Sequence, residues 1–219
     1  AAYLALKGAI SSGAGFVSAI LPDLVANSIW QVEPELVMAG RLFSDSNGNS
    51  ILFDALKNLD FSSYDSIVIG PGIGLDKNDW EKSTEYLLDI KGLLILDADA
   101  LNRISKSNLG SKFFLERKAE TWITPHYQEF IRLFPEIVEI NRVEQALKAA
   151  KEFNISILLK GANSVIANNE MAWQIFGTDA ETARAGLGDL LSGFIGGSSA
   201  IDLSCLGDHI KAESLAKYV

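Results

Sequence analysis

Three short runs, Ser66 to Ile69, Leu93 to Leu96 and Ile155 to Leu159, are rich in leucine and β-branched residues and show no polar alternation. A strand with one face in water alternates apolar and polar residues, so runs this short and uniformly apolar read as strands buried on both faces. Helical patterns lie between them. Trp80, Thr84, Leu87 and Leu88 share one face, as do Val143, Leu147, Ala150 and Phe153, and Asn78-x-x-Glu81 has the form of a capping box. Strands alternating with helices predict right-handed βαβ crossovers and a doubly wound sandwich with helices on both faces of the sheet. Later, Ser164 to Ala167 and Ala172 to Ile175 flank Asn168-Asn169-Glu170, the pattern of a β-hairpin at the sheet margin. The sheet is thus expected to be mostly parallel, with antiparallel strands late in the chain.

The 219 residues, 48% of them hydrophobic, suit one domain with a well-filled core, and no repeat or composition shift marks a linker. No apolar stretch has the length of a membrane span and no basic segment leads into an apolar one at the start, which predicts a cytoplasmic protein with no membrane partner. The net charge of −9 argues against nucleic acid, so a bound nucleotide must be held by local donors. The single cysteine, Cys205, cannot form an internal disulfide and reads as core filler.

In open α/β sheets ligands bind beyond the carboxyl ends of the strands. Gly70-Pro71-Gly72-Ile73-Gly74 follows the first apolar run; its glycines allow close backbone approach to a ligand, or simply serve a strand-to-helix turn. Asp97-Ala98-Asp99-Ala100-Leu101-Asn102 follows the second, and its carboxylates can cap a helix or hold magnesium through water. Thr124-Pro125-His126 puts an imidazole at a stiffened turn, as a crevice group or a structural one. Lys160-Gly161 offers a cation and a flexible backbone to phosphates. The richest segment is Ala185-Gly186-Leu187-Gly188-Asp189-Leu190-Leu191, a glycine-rich turn entering an apolar helix. Its free N–H groups make an anion site, and Asp189 is either an N-cap or the base that takes a proton from an attacking hydroxyl.

In this order the segments resemble the ADP- or ATP-dependent NAD(P)H-hydrate dehydratase family of the ribokinase-like superfamily. The likeness begins at the alanine-rich start and Gly13-Ala14-Gly15-Phe16-Val17, and passes through Pro34-Glu35-Leu36-Val37-Met38. It continues in Gly70 to Gly74, in Asp97 to Asn102, in Thr124-Pro125-His126 with Glu129, and in Lys160-Gly161-Ala162. The resemblance implies a three-layer α/β/α sandwich. It implies that Ala2, Gly74, His126 and Asp189 meet the hydrated nicotinamide nucleotide, and that Lys160, Gly161, Ala162, Asn163, Ser164 and Gly188 meet ADP or ATP. By the same resemblance Gly186, Leu187 and Gly188 form the anion hole, Asp189 is the catalytic base, and magnesium is the metal, with no ligands assigned to it. The partners are then hydrated NADH or NADPH and a nucleotide. Relatives form homo-oligomers, though no pattern here demands an interface.

Two segments depart from the family. Its Gly-Gly-Thr-Gly-Asp reads here Ala185-Gly186-Leu187-Gly188-Asp189, and Tyr127-Gln128 replaces Pro-Gly after His126. Against the family pattern the single ribokinase-like domain of residues 1–219 also lacks a first strand with its glycine-rich turn, and part of the helical region after Asp202. Two other functions stay open: a kinase of the same superfamily acting on a small alcohol such as a vitamin precursor, and a catalytically silent nucleotide-binding module.

Overall fold

The computed structural model describes residues 1–34, 36–138, 141–176 and 184–206, with side chains as far as Leu203. Glu35, the side chain of Cys205 and the end of the C-terminal helical region lie outside the described residues. The chain opens with helix α1 (Ala2–Ser11), strand β1 (Ser18–Pro22), the short α2 (Asp23–Ala26) and strand β2 (Val37–Leu42). Helix α3 (Phe53–Asn58) precedes β3 (Ser66–Ile69), α4 (Lys77–Asp89), β4 (Leu93–Leu96), α5 (Asp99–Lys106) and α6 (Lys112–Glu116). There follow β5 (Thr121–Ile123), α7 (Tyr127–Leu133), α8 (Arg142–Phe153), β6 (Ser156–Leu159), β7 (Val165–Ala167), β8 (Ala172–Gln174) and α9 (Leu187–Leu206).

Strands β3 to β8 form one sheet in sequence order, parallel from β3 to β6 and antiparallel through β7 and β8. This is the expected mixed sheet, including the late hairpin. The lack of polar alternation has its cause in the two cores. Leu94, Leu96, Ile123, Ile157 and Leu159 join the aromatic core beneath α4 to α8, whereas Leu93, Ile95, Trp122 and Leu158 face Ile195 of α9. Both faces are covered, giving three layers.

Helix α4 starts earlier than the capping-box pattern suggests. Asp76 is its N-cap, accepting from Asn78 N–H at 2.9 Å, and Glu81 instead accepts from Asn108 N–H at 3.1 Å. An aspartate one residue before the helix satisfies an orphan donor as well as Asn78 would, so the helix starts two residues earlier.

The α1–α9 contact is made almost without side chains. A methyl group on Gly8 would strike the Leu190 carbonyl, on Gly193 the Ala5 carbonyl, and on Gly197 Ser12 and the Ala9 carbonyl. The backbones therefore meet directly, and α1 is fixed against the start of α9.

Strands β1 and β2 pair in parallel as a separate two-stranded sheet, and among the described residues no ladder joins β1 to β3. A cavity of about 250 Å³ separates the two edges, and every residue of both β1 and β3 lines it. Among the described residues no helix is long and apolar enough to cross a membrane.

Candidate active site

The parallel register sets Ile69 opposite Leu96 and Leu96 opposite Ile123, so the turns after these strands emerge along one edge. Backbone bonds carry the alignment beyond the strands: Asp97 N–H donates to Ile69 O and Thr124 N–H to Leu96 O, each at 3.1 Å, and Lys160 N–H to Pro125 O at 2.8 Å. Gly70 takes φ +137°, and any side chain there would collide with the Asp97 carbonyl. Only glycine lets these two turns touch.

Ala98 has φ +48° and ψ −117°, a conformation costing a non-glycine residue roughly 1–3 kcal/mol. The kink parts its two neighbours. Asp97, 1% exposed, turns to Lys160, whose Nζ lies 2.7 Å from Oδ1. Asp99 turns to the glycine loop, its Oδ2 accepting Gly74 N–H at 2.9 Å. Asp99 is therefore not a helix cap, because its carboxylate is spent on holding Gly74.

The expected nucleotide residues do gather around Lys160. Its Nζ also lies against Gly188, 3.3 Å from where a Cβ would stand, which joins the β6 end to the start of α9. Ala162 and Asn163 form the exposed turn between β6 and β7, closed by the Ser164 hydroxyl, which donates to Gly161 O at 3.0 Å and accepts from Gly161 N–H at 3.3 Å.

Gly186, at φ +83°, turns the chain into α9, so Asp189 lies in the helix's first turn rather than capping it. Leu187 N–H is already given to Arg184 O at 3.2 Å; Gly188 and Asp189 N–H groups have no acceptor among the described residues. Of the three expected anion-hole residues, then, Gly188 presents an open donor and Leu187 does not, and Asp189 adds one. The Asp189 carboxylate is partly exposed, with Oδ2 3.6 Å from the Ala1 nitrogen. Ala1 and Ala2 in turn pack on Gly72, bringing Ala2 to the glycine loop.

His126 is the N-cap of α7. Its Nδ1 accepts from Gln128 and Glu129 N–H at 3.1 and 3.3 Å, while Glu129 accepts His126 N–H at 2.9 Å, a reciprocal capping box. With Nδ1 accepting, the proton of the neutral ring sits on Nε2, which lies 3.4 Å from Glu129 Oε1, and the side chain remains 52% exposed. Burial pushes the Glu129 carboxyl above its ordinary value, opposed by the His126 N–H and imidazole and by Lys160. Among the described residues no hydrogen bond or ion pair joins Gly74 or His126 to Asp189, whereas His126 stands directly beside Lys160 as its parallel bridge partner.

Two residues escaped the sequence pattern. Arg103, fully buried on α5, donates to Asp79 at 2.7 Å and to the carbonyls of Gly74, Ser50 and Ile73 at 2.8, 2.9 and 2.5 Å. Asp79 also accepts from Leu52 and Phe53 N–H. Together they fasten the glycine loop to the segment before α3. An arginine on the stripe that carries Ala100 and Ile104 was the available signal.

A closed metal cage is not formed among the described residues, where no three His, Cys, Asp or Glu side chains converge. Magnesium keeps water and phosphate ligands and needs only one or two protein carboxylates. At this edge Asp97, beside Lys160, is a carboxylate that could serve.

Residues 1–218 match the family model described as NAD(P)H-hydrate dehydratase. The chain is 36% identical over 197 residues to the bifunctional NAD(P)H-hydrate repair enzyme Nnr of Synechocystis sp., covering 90% of this chain and 36% of that protein. The protein of the same name from Methanopyrus kandleri is 31% identical over 220 residues, covering 96% and 40%. The chain thus spans about two fifths of the length of these curated relatives. Among solved structures, an ADP/ATP-dependent NAD(P)H-hydrate dehydratase from Bacillus subtilis, co-crystallised with ATP/Mg2+ and soaked with CoA, is 25% identical with a TM-score of 0.70, covering 97% of this chain and 71% of that one. A ribokinase-like superfamily protein from Enterococcus faecalis, 22% identical with a TM-score of 0.66 over 99% of this chain and 82% of that one, shares the fold. With a family model matched along nearly its whole length and the motifs of each strand end meeting at one edge, the chain belongs to the NAD(P)H-hydrate dehydratase family.

Proposed function

We propose that this chain is a ribokinase-like domain that dehydrates (6S)-NAD(P)H hydrate to NAD(P)H with ADP or ATP as co-substrate, a cytoplasmic repair reaction. The observation that carries the reading is the Asp97–Lys160–Gly188 cluster beside Asp189: a buried carboxylate, a cation and open N–H donors meeting at a helix start. Asp189 takes the proton from the ring hydroxyl, and the oxygen attacks the terminal phosphorus while the nucleotide's bridging oxygen departs. Loss of phosphate together with a ring proton then restores the dihydronicotinamide. Lys160 and the N–H groups of Gly188 and Asp189 stabilise charge on the transferred phosphoryl group, so the protein's part is positioning and electrostatics.

Gly161 to Ser164 contact the nucleotide in this reading, and Ala2, Gly74 and His126 contact the hydrated substrate, His126 through its Nε2–H edge. Magnesium would arrive with the phosphates and neutralise their charge, with Asp97 as its protein carboxylate. The bacterial dehydratase crystallised with ATP/Mg2+ supports that choice of co-substrate and ion.

The test supplies hydrated NADH, magnesium and ADP or ATP and follows the return of dihydronicotinamide absorbance. Recovery in wild type, with Asp189→Ala slower by about 10²–10⁴-fold at unchanged circular dichroism, is the expected result. Near wild-type recovery in Asp189→Ala would remove it from the base role. A stable phosphoester in place of released phosphate would mark a kinase.

A further inference from the structure

Arg142 belongs to none of the motifs above, yet it stands between the two halves of the site. It is the first residue of α8, and its guanidinium lies over the Tyr127 ring, 4.7 Å from the centroid. Its Nη1 occupies the place that a Cβ on Gly161 would take, so a side chain there would have to push the guanidinium aside. One arginine thus bridges the turn after β5 and the turn after β6.

Nothing in its own helix accounts for this placement. A cation at the first position of a helix sits at the positive end of the dipole, where it is disfavoured. Among the described residues no carboxylate lies within ion-pair distance of it, whereas Lys160, one residue from its contact, is neutralised by Asp97. A half-buried, planar cation aimed at a phosphate-binding turn and left without an anion matches a phosphate ligand in charge and shape.

Resting on the reading above, we propose that Arg142 binds a phosphate of the nucleotide co-substrate and that Tyr127 is the platform holding its plane over Gly161. The contact with the ring restricts the guanidinium, so less freedom is lost when the phosphate arrives.

Calorimetric titration of ADP, ATP and adenosine into wild type, Arg142→Gln, Arg142→Lys, Tyr127→Ala and Tyr127→Phe tests this. Arg142→Gln should weaken ADP and ATP about 10–100-fold, the loss of a charged hydrogen bond, and leave adenosine unchanged. Arg142→Lys, which keeps charge and stem, should fall between, and Tyr127→Phe should recover most of what Tyr127→Ala loses. Wild-type affinity for ADP and ATP in both Arg142 variants, or equal weakening of adenosine, would overturn the inference and leave the proposed function standing. A folded wild type that binds neither ADP nor ATP would instead remove the reading on which it rests.

Discussion

Arg103 shows how a single side chain can organise a site it never enters. Its four acceptors hold the Gly74 loop, and removing it leaves the buried Asp79 charge and several carbonyls without their donor. Breaking one partner of a buried pair costs about 3–5 kcal/mol, so Arg103→Met should lose that much stability in urea unfolding. A loss below about 1 kcal/mol would mean that water replaces the arginine. Glu129 gives a pH signature. Its folded pKa is raised, so the unfolded chain ionises first, and stability from this group falls as pH climbs from about 4.5 through the higher folded value. Glu129→Gln still accepts His126 N–H but carries no charge. The melting temperature of this variant relative to wild type should therefore rise across that interval; a constant difference would refute the shift. At this scale the sequence disclosed the groups that sit consecutively at strand ends, from Gly70 to Gly74, Asp97 to Asn102 and Gly186 to Asp189. It hid Arg103, Asp79 and Arg142, whose partners lie well outside their own local segments and whose roles exist only after the helices have packed.

Among elements, the strands that announced themselves were the short apolar runs of β3, β4 and β6 and the late hairpin of β7 and β8. Strand β5 is three residues long, β2 carries Gly40 and Arg41, and β1 ends in Pro22, so none forms a distinctive run. Their pairing is decided by neighbours, which β-propensity does not encode. The α1–α9 contact was equally silent, because small residues signal close approach only once a partner is known. It gives a sharp prediction. Gly193→Ala gains about 1 kcal/mol of helix propensity, but its methyl meets the Ala5 carbonyl, and overpacking against rigid backbone costs roughly 1–3 kcal/mol. The variant should melt lower and turn over more slowly, since α1 can yield only by shifting the first turn that carries Asp189. A stabilised variant with unchanged rate would show that the helices tolerate separation.

For the molecule as a whole, the family's fold was legible in the alternation of strands and helices, and the site in its position along one edge. The division of the sheet was not legible, because a gap between β1 and β3 leaves no mark in either strand's residues. That gap has a volumetric meaning. The cavity opens to solvent at its rim, but most of its lining is alanine, leucine, isoleucine and glycine, which gives water few partners, so the poorly hydrated inner part of the space is lost when the chain unfolds. The unfolded state then occupies less volume than the folded one, and compression favours it. Hydrostatic pressure should unfold this protein more readily than a variant in which Ala19→Val narrows the void, as followed by tryptophan fluorescence; equal pressure midpoints would show the space to be filled by solvent. Force applied equally from all sides would thus act on the space where, among the described residues, no neighbouring strand braces the sheet.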